Sequence, residues 1–174
     1  VVSLAYTSAS VSMSEQRLGI LFIFTAGIYK PDGRFVLDMR LGVLFSGGKD
    51  STFALHRAAA LHEIACLITI ASKDAASFMF HTPNIDLTSL QAQALRLPLV
   101  RVETLGEKEA ELKDLRAAIA QAKDKYKIRG VVSGAVRSTY QASRIQKICA
   151  ELNLWCFNPL WLKDQVALLE DILA

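Results

Sequence analysis

Cysteine is scarce in this chain: Cys66, Cys149 and Cys156 are three in 174 residues, with no C-x-x-C pair among them. An odd and scattered set argues against a disulfide scaffold and against a metal knuckle. It points instead to buried thiols in a reducing cytosol, a cytoplasmic setting. Long apolar runs are missing too. No stretch approaches the ~20 apolar residues needed to span a bilayer, so no membrane partner is expected. The run Leu18–Phe24 lacks a basic segment before it and is not expected to be a signal peptide. Charge of one sign is scarce, since 20 Lys and Arg against 17 Asp and Glu leave a net charge of +3. That gives no strong nucleic-acid signal, and no basic or aromatic-rich platform for RNA is present. Finally, a Walker A loop is absent. The position five before Gly48 is Val43 where that motif needs glycine, and Lys49 is followed by Asp50 rather than Ser or Thr.

What is present starts with 52% hydrophobic and 21% charged residues, the composition of a globular protein with a substantial core. The most informative stretch is Arg40–Ser51. Leu41, Val43, Leu44 and Phe45 read as a buried strand, which stops at Ser46-Gly47-Gly48-Lys49-Asp50-Ser51. A helical pattern, Ala54, Leu55, Ala58 and Leu61, follows. A strand passing through paired glycines into a helix start aims unpaired backbone N–H groups at one point, which suits a phosphate. Lys49 lies at the positive end of the helix dipole. That position costs about 0.3–1 kcal/mol without a nearby anion, so an anion is expected. The plainer alternative is a glycine turn capped by Asp50 or Ser51.

Downstream, strands are expected at Ile64–Ala71, Leu97–Val102, Gly130–Ser133 and Leu154–Phe157. Helices are expected at Asp86–Leu95 (Leu87, Leu90 and Ala94 inward), behind the capping box Thr104–Glu107, and behind a second box, Ser138–Gln141. The first box opens a stripe of Leu112, Leu115, Ile119, Ala122 and Tyr126, with a Glu109–Lys113 pair on its solvent face. The second opens one of Ile145, Ile148, Cys149 and Leu152. This alternation predicts an α/β fold: an open parallel sheet with helices on both faces, Rossmann-like, built from right-handed crossovers. Ligands then sit beyond the carboxyl ends of the strands, along a rim holding Ser46–Ser51, Ser72 onward and Ser133-Gly134-Ala135.

The ends read differently. Residues 1–38 are expected to be an extension outside the fold, with Met39 as the native start; their tail could form a hairpin of Leu18–Phe24 and Arg34–Leu37 around Pro31-Asp32-Gly33. Residues 39–174 are expected to form the folded domain that carries the Ser46–Ser51 loop. From Asp164, the pattern Val166, Leu169, Ile172, Leu173 predicts a last amphipathic helix that stops without a cap.

Ser46–Ser51 resembles the PP-loop of the ATP pyrophosphatases, the adenine nucleotide alpha hydrolase-like fold. The narrower resemblance is to the diphthine–ammonia ligase family. It rests on Ser46–Ser51, Met79–Asn84, Ser133-Gly134-Ala135, Tyr140-Gln141 with Arg144, and Pro159-Leu160-Trp161, and covers Met39 to about Asp164. Members continue into a glycine- and glutamate-rich segment not found here, so the C-terminal part of the family domain is expected to be missing. The resemblance implies a ligase that uses ATP and Mg²⁺ to adenylate the carboxylate of diphthine on translation elongation factor 2. Ammonia then displaces AMP to give diphthamide. A PP-loop tRNA-modifying enzyme and a nucleotide-binding module without turnover are the rival readings.

Candidate residues follow. Lys49 is the phosphate clamp, a point charge, with Ser46, Gly47, Gly48 and Ser51 as donors to the pyrophosphate. Asp50 either helps place Mg²⁺ or caps the helix. His81, in a loop at the rim, is a candidate for catalysis, with Asn84 beside it. Ser72, Gly134 and Ala135 border the nucleotide, where a small residue permits close approach. Arg137 and Arg144 are candidates for the released pyrophosphate.

Overall fold

A computed structural model describes residues 28–29, 35–36, 39–72, 85–105 and 110–174. The first two pieces are β1 (Ile28–Tyr29) and β2 (Phe35–Val36), an antiparallel pair. Phe35–Val36 falls within the expected strand Arg34–Leu37, and its partner is Ile28–Tyr29. Leu18–Phe24 and the expected turn Pro31-Asp32-Gly33 lie outside the described residues.

The main sheet comprises β3 (Arg40–Leu44), β4 (Glu63–Ser72), β5 (Leu99–Thr104), β6 (Gly130–Val132) and β7 (Trp155–Phe157). All pairings are parallel, in the order β5-β4-β3-β6-β7. Alternation along each strand sends neighbours to opposite faces. Leu41, Val43, Leu67 and Val132 face one layer, and Cys66, Ile68, Ile70 and Val131 the other. The first layer is covered by α1 (Lys49–Ala59), α2 (Thr88–Leu95) and α5 (Gln165–Leu173). The second is covered by α3 (Ala110–Tyr126) and α4 (Thr139–Glu151). This is the expected open parallel α/β sheet with helices on both faces.

The stripes of α3 and α4 bury as their periodicity predicts. Leu115, Ile119, Ala122, Ile145, Ile148 and Cys149 are all in the core. Ser138 caps α4 through its hydroxyl, which accepts from the Gln141 N–H at 3.3 Å. The first predicted box and the Glu109–Lys113 pair fall partly outside the described residues.

Three helical readings are corrected. Leu61 lies past the end of α1 and is 62% exposed. The segment expected as one helix from Asp86 starts as a 3₁₀ turn, Ile85–Leu87, and only then becomes α2. Its inward residues are Thr88 and Ala92, whereas Leu87, Leu90 and Ala94 are exposed. Small side chains one turn apart let α2 sit close to the sheet, and this outweighs the burial of larger ones. In α5 the buried residue is Leu168, with Ile172 half-buried. Val166, Leu169 and Leu173 face solvent. The helix is fixed by Asp164, whose carboxylate accepts from the N–H groups of Val166 (2.9 Å) and Ala167 (3.2 Å).

Candidate active site

The strand order reverses at β3. From there the chain moves outward to β4 and β5, then returns to the other side of β3 for β6 and β7. At such a reversal the loops after the two central strands part and leave a crevice. Here those loops are Ser46-Gly47-Gly48 and Ser133-Gly134-Ala135.

The first loop is shaped by its own hydroxyls and glycines. The Ser46 N–H donates to Ser51 Oγ at 3.3 Å, the two hydroxyls lie 3.1 Å apart, and Ser51 Oγ donates to the Gly48 carbonyl at 3.0 Å. Gly47 has φ of +74°, a conformation open to glycine at little cost. Gly48 is the N-cap of α1 in extended conformation, without a side-chain cap. Neither Asp50 nor Ser51 therefore caps the helix, and its first N–H groups stay available to a ligand. Lys49 and Asp50 pair with each other through Nζ and Oδ1, both about half exposed. An incoming anion would find this ammonium already at the helix start.

The second loop presses directly on the first. Gly134 lies so near the start of α1 that a Cβ there would come within 2.9 Å of the Asp50 carbonyl carbon and the Ser51 nitrogen. The close approach that requires glycine is thus to the protein's own backbone. Ser133 is buried and its Oγ accepts from the Ala135 N–H at 3.1 Å, which shapes the turn.

Between the loops opens a cleft of about 240 Å³ with two kinds of wall. Polar groups come from Ser46, Asp50, Ser51, Ser133 and Gln141, and branched apolar side chains from Ile68, Ile70, Ile85 and Ile145. β4 runs past the end of β3, whose last residue, Leu44, pairs with Ile68; Ile68 and Ile70 belong to the core and also line the cleft. Polar groups against a helix start beside branched apolar side chains suit a phosphate ester of a flat, uncharged base. On the far side of the same loop lies a wider cleft of about 580 Å³. Gly47, Gly48 and Lys49 border it, facing Phe53 and His56 of α1 and Asp171 of α5.

Of the predicted site residues, Ser46, Asp50, Ser51, Gly134 and Ala135 meet in the first cleft, and Gly47, Gly48 and Lys49 border the second. Ser72 does not join them. It lies two residues beyond the cleft-lining Ile70 on β4, about 7 Å at ~3.3 Å per residue, and pairs with Thr104. Arg144 is folded onto its own helix, its guanidinium 3.4 Å over the Tyr140 ring and donating to the Tyr140 carbonyl at 3.3 Å. Arg137 is exposed and pairs with Asp164 at 3.8 Å, away from the cleft lining. His81 and Asn84 lie outside the described residues. Sequence reasoning missed the isoleucine wall, because apolar strand residues read as core. It also missed Gln91, whose Nε2 donates to the Gly47 carbonyl at 3.2 Å from 44 positions away.

No group of three His, Cys, Asp or Glu side chains able to hold a metal exists among the described residues. The donors here suit a cation that arrives on phosphate oxygens and takes one carboxylate, which Asp50 can offer.

A family profile described as diphthamide synthase N-terminal domain matches residues 39–155. The chain belongs to this diphthamide synthase family. Among its relatives, the diphthine–ammonia ligase of Rattus norvegicus is 32% identical, over 78% of this chain and 58% of its own length. That of Danio rerio is 34% identical, over 78% and 60%. That of Schizosaccharomyces pombe is 32% identical, over 78% of this chain and 25% of its own length. The chain thus spans about three-fifths of the vertebrate relatives, and the family match covers the cleft and both of its loops. A crystal structure titled as a predicted subunit of tRNA methyltransferase from Methanocaldococcus jannaschii shares the fold, with a TM-score of 0.51 at 20% identity. The likeness covers 77% of this chain and 75% of that one. Among the described residues, no helix is long and apolar enough to cross a membrane.

Proposed function

We propose that this chain is an ATP-dependent, AMP-forming amide ligase that converts diphthine on elongation factor 2 to diphthamide, working in the cytoplasm. The observation that carries the reading is the meeting of a glycine-opened helix start with an isoleucine-walled cleft at the reversal of strand order. The family match and the printed names of the relatives support the same chemistry.

A carboxylate is a poor electrophile towards ammonia. Its oxygen attacks the α-phosphorus of ATP, the bond to the bridging oxygen breaks, and pyrophosphate leaves. Ammonia then adds to the carbonyl of the acyl adenylate, loses a proton, and expels AMP. The chain's part is positioning and charge neutralisation. The isoleucine wall holds the base. The N–H groups at the start of α1 and the hydroxyls of Ser46 and Ser51 receive the departing pyrophosphate, and Lys49 releases Asp50 to neutralise it. Mg²⁺ would supply further charge neutralisation on the phosphates, with Asp50 as its protein oxygen. Arg144, beside the cleft-lining Ile145, would leave Tyr140 and turn to the phosphate chain when nucleotide binds. His81 is the candidate for a catalytic role towards ammonia or the diphthine carboxylate.

Calorimetry with Mg-ATP tests the nucleotide half. Lys49→Ala should lose a charge-assisted contact, about 1.5–3 kcal/mol, and equal affinity would remove its role as clamp. Chromatography of the products after incubation with ammonium and diphthine-bearing elongation factor tests the rest. AMP and a mass change on the factor are expected; ADP as the main product would sink the assignment.

A further inference from the structure

We propose that Gln91 of α2 is a positioning residue that fixes the orientation of the Gly47–Gly48 peptide and so aims the Gly48 N–H at the bound phosphates. The proposal rests on the nucleotide-binding reading above and adds a residue to it. Gln91 Nε2 donates to the Gly47 carbonyl at 3.2 Å. In a trans peptide the carbonyl and the following N–H lie in one plane and point opposite ways. Holding the Gly47 oxygen towards α2 therefore turns the Gly48 N–H away from α2. That is the side of the wider cleft, which Gly47, Gly48 and Lys49 border and no α2 residue lines. The phosphates it meets are therefore the β- and γ-phosphates, which run from the Ser46–Ser51 end of the first cleft over the loop to Lys49.

The loop cannot make this choice alone. A peptide between two glycines has no Cβ on either side to resist rotation, so both orientations are accessible to it. The deciding contact has to come from outside, and the Gln91 amide supplies it at two points. Its oxygen is buried without a hydrogen-bond partner. A Cβ built on Gly47 would come within 2.2 Å of that oxygen, so the hydrogen in its place faces Oε1 in a weak C–H···O contact. A buried amide oxygen left in this state is unfavourable. A glutamine serving only to pack could turn it to water. The helix behind it holds the side chain in place: Ala92 sits in the core, and Thr88, also buried, donates through Oγ1 to the Ile85 carbonyl at 2.6 Å.

The test uses Gln91→Leu, which keeps the volume and loses the donor, and Gln91→Glu, which keeps the shape and at neutral pH cannot donate. Calorimetry should show Mg-ATP and inorganic pyrophosphate binding about tenfold more weakly to both, the effect of one lost hydrogen bond to charge. Adenosine, held by the isoleucine wall, should bind as before. In ¹⁵N-glycine spectra the Gly48 amide signal should shift or broaden as the peptide samples both orientations. Unchanged pyrophosphate affinity overturns the proposal, and so does an equal loss for adenosine, which would mark a merely structural glutamine. Should the unaltered chain bind neither ATP nor pyrophosphate, the nucleotide reading fails by itself. The Gly48 signal then decides the role of Gln91, and an unmoved signal in both variants overturns it.

Discussion

At Gly134 the absence of a side chain is a matter of distance rather than of backbone torsion. A methyl group there would sit 2.9 Å from the backbone of Asp50 and Ser51. Backbone in the first turn of a helix has little room to yield, so Gly134→Ala should push α1 and its loop away from β6. We expect a loss of about 1–3 kcal/mol in stability, as for other overpacked sites, together with weaker Mg-ATP binding, checked by denaturant melts and calorimetry. The cysteines differ among themselves for equally local reasons. Burial pushes the Cys66 thiol up to about 12. Cys149 donates to Cys156, which raises Cys149; the same hydrogen bond, helped by the Asn158 amide, lowers Cys156 against the effect of its burial. A lowered thiol pKa means that the reactive thiolate forms at lower pH than in an ordinary cysteine. Cys156, half-buried where Cys66 and Cys149 are fully buried, should therefore be alkylated first, with a rate profile displaced to lower pH. Cys149→Ala should move that profile back up, while Cys66 stays unmodified in the folded protein. Mass spectrometry of a pH series of iodoacetamide labelling checks all three statements.

Helix faces were only partly legible from apolar spacing. In α3 and α4 a full stripe of large side chains matches the sheet beneath, and spacing alone finds the core. At α2 the larger residues Leu87, just before the helix, and Leu90 point out, and the small pair Thr88 and Ala92 points in. A short helix over a tight loop is ruled by how near it must come, which spacing does not encode. In α5 the inward residue is Leu168, which the 166-169-172-173 pattern skipped. Truncation there discriminates between the two faces. Leu168→Ala should cost about 2–5 kcal/mol as a core truncation, whereas Val166→Ala and Leu169→Ala should each stay within about 0.5 kcal/mol as surface changes. Urea melts of the three variants decide which face is buried. The α5 cap also responds to pH. Asp164, fully exposed, has its carboxyl held below the usual range by the Ala167 and Val166 N–H groups. Its contribution is present above the unfolded carboxylate pKa and is lost as pH falls through the lower, folded value.

At the scale of the whole chain, the cleft between the Ser46 and Ser133 loops is built by residues 44 to 145 around one sheet, all within the stretch that matches the family. Residues 1–38 lie outside that match, and we propose that they are an extension to a domain spanning 39–174. Removing them should leave the Mg-ATP affinity and the melting temperature unchanged, as measured by calorimetry on the full and shortened chains. A loss of either would make the extension part of the domain. The vertebrate relatives are longer, with this chain spanning 58% to 60% of their length. Nucleotide binding and amidation are accordingly separate measurements, and the cleft described here bears directly on the first.

The sequence by itself determined the alternation of strands and helices, the faces of α3 and α4, the Ser138 cap and the anion-ready loop from Ser46 to Ser51. Each of these is a local fact, written in periodicity, capping residues or a contiguous motif. It also sufficed for the resemblance that the family match bears out. Only the tertiary structure decided the strand order, and with it the crevice between β3 and β6. It alone showed that Gly134 is glycine because α1 presses on it, that Ile68 and Ile70 line the cleft, and that Ser72 stands just beyond that lining. The grip of Gln91 on Gly47 spans 44 positions. Contacts between residues so far apart in sequence leave no periodic trace, because they depend on how whole elements are stacked and not on the spacing within any one of them.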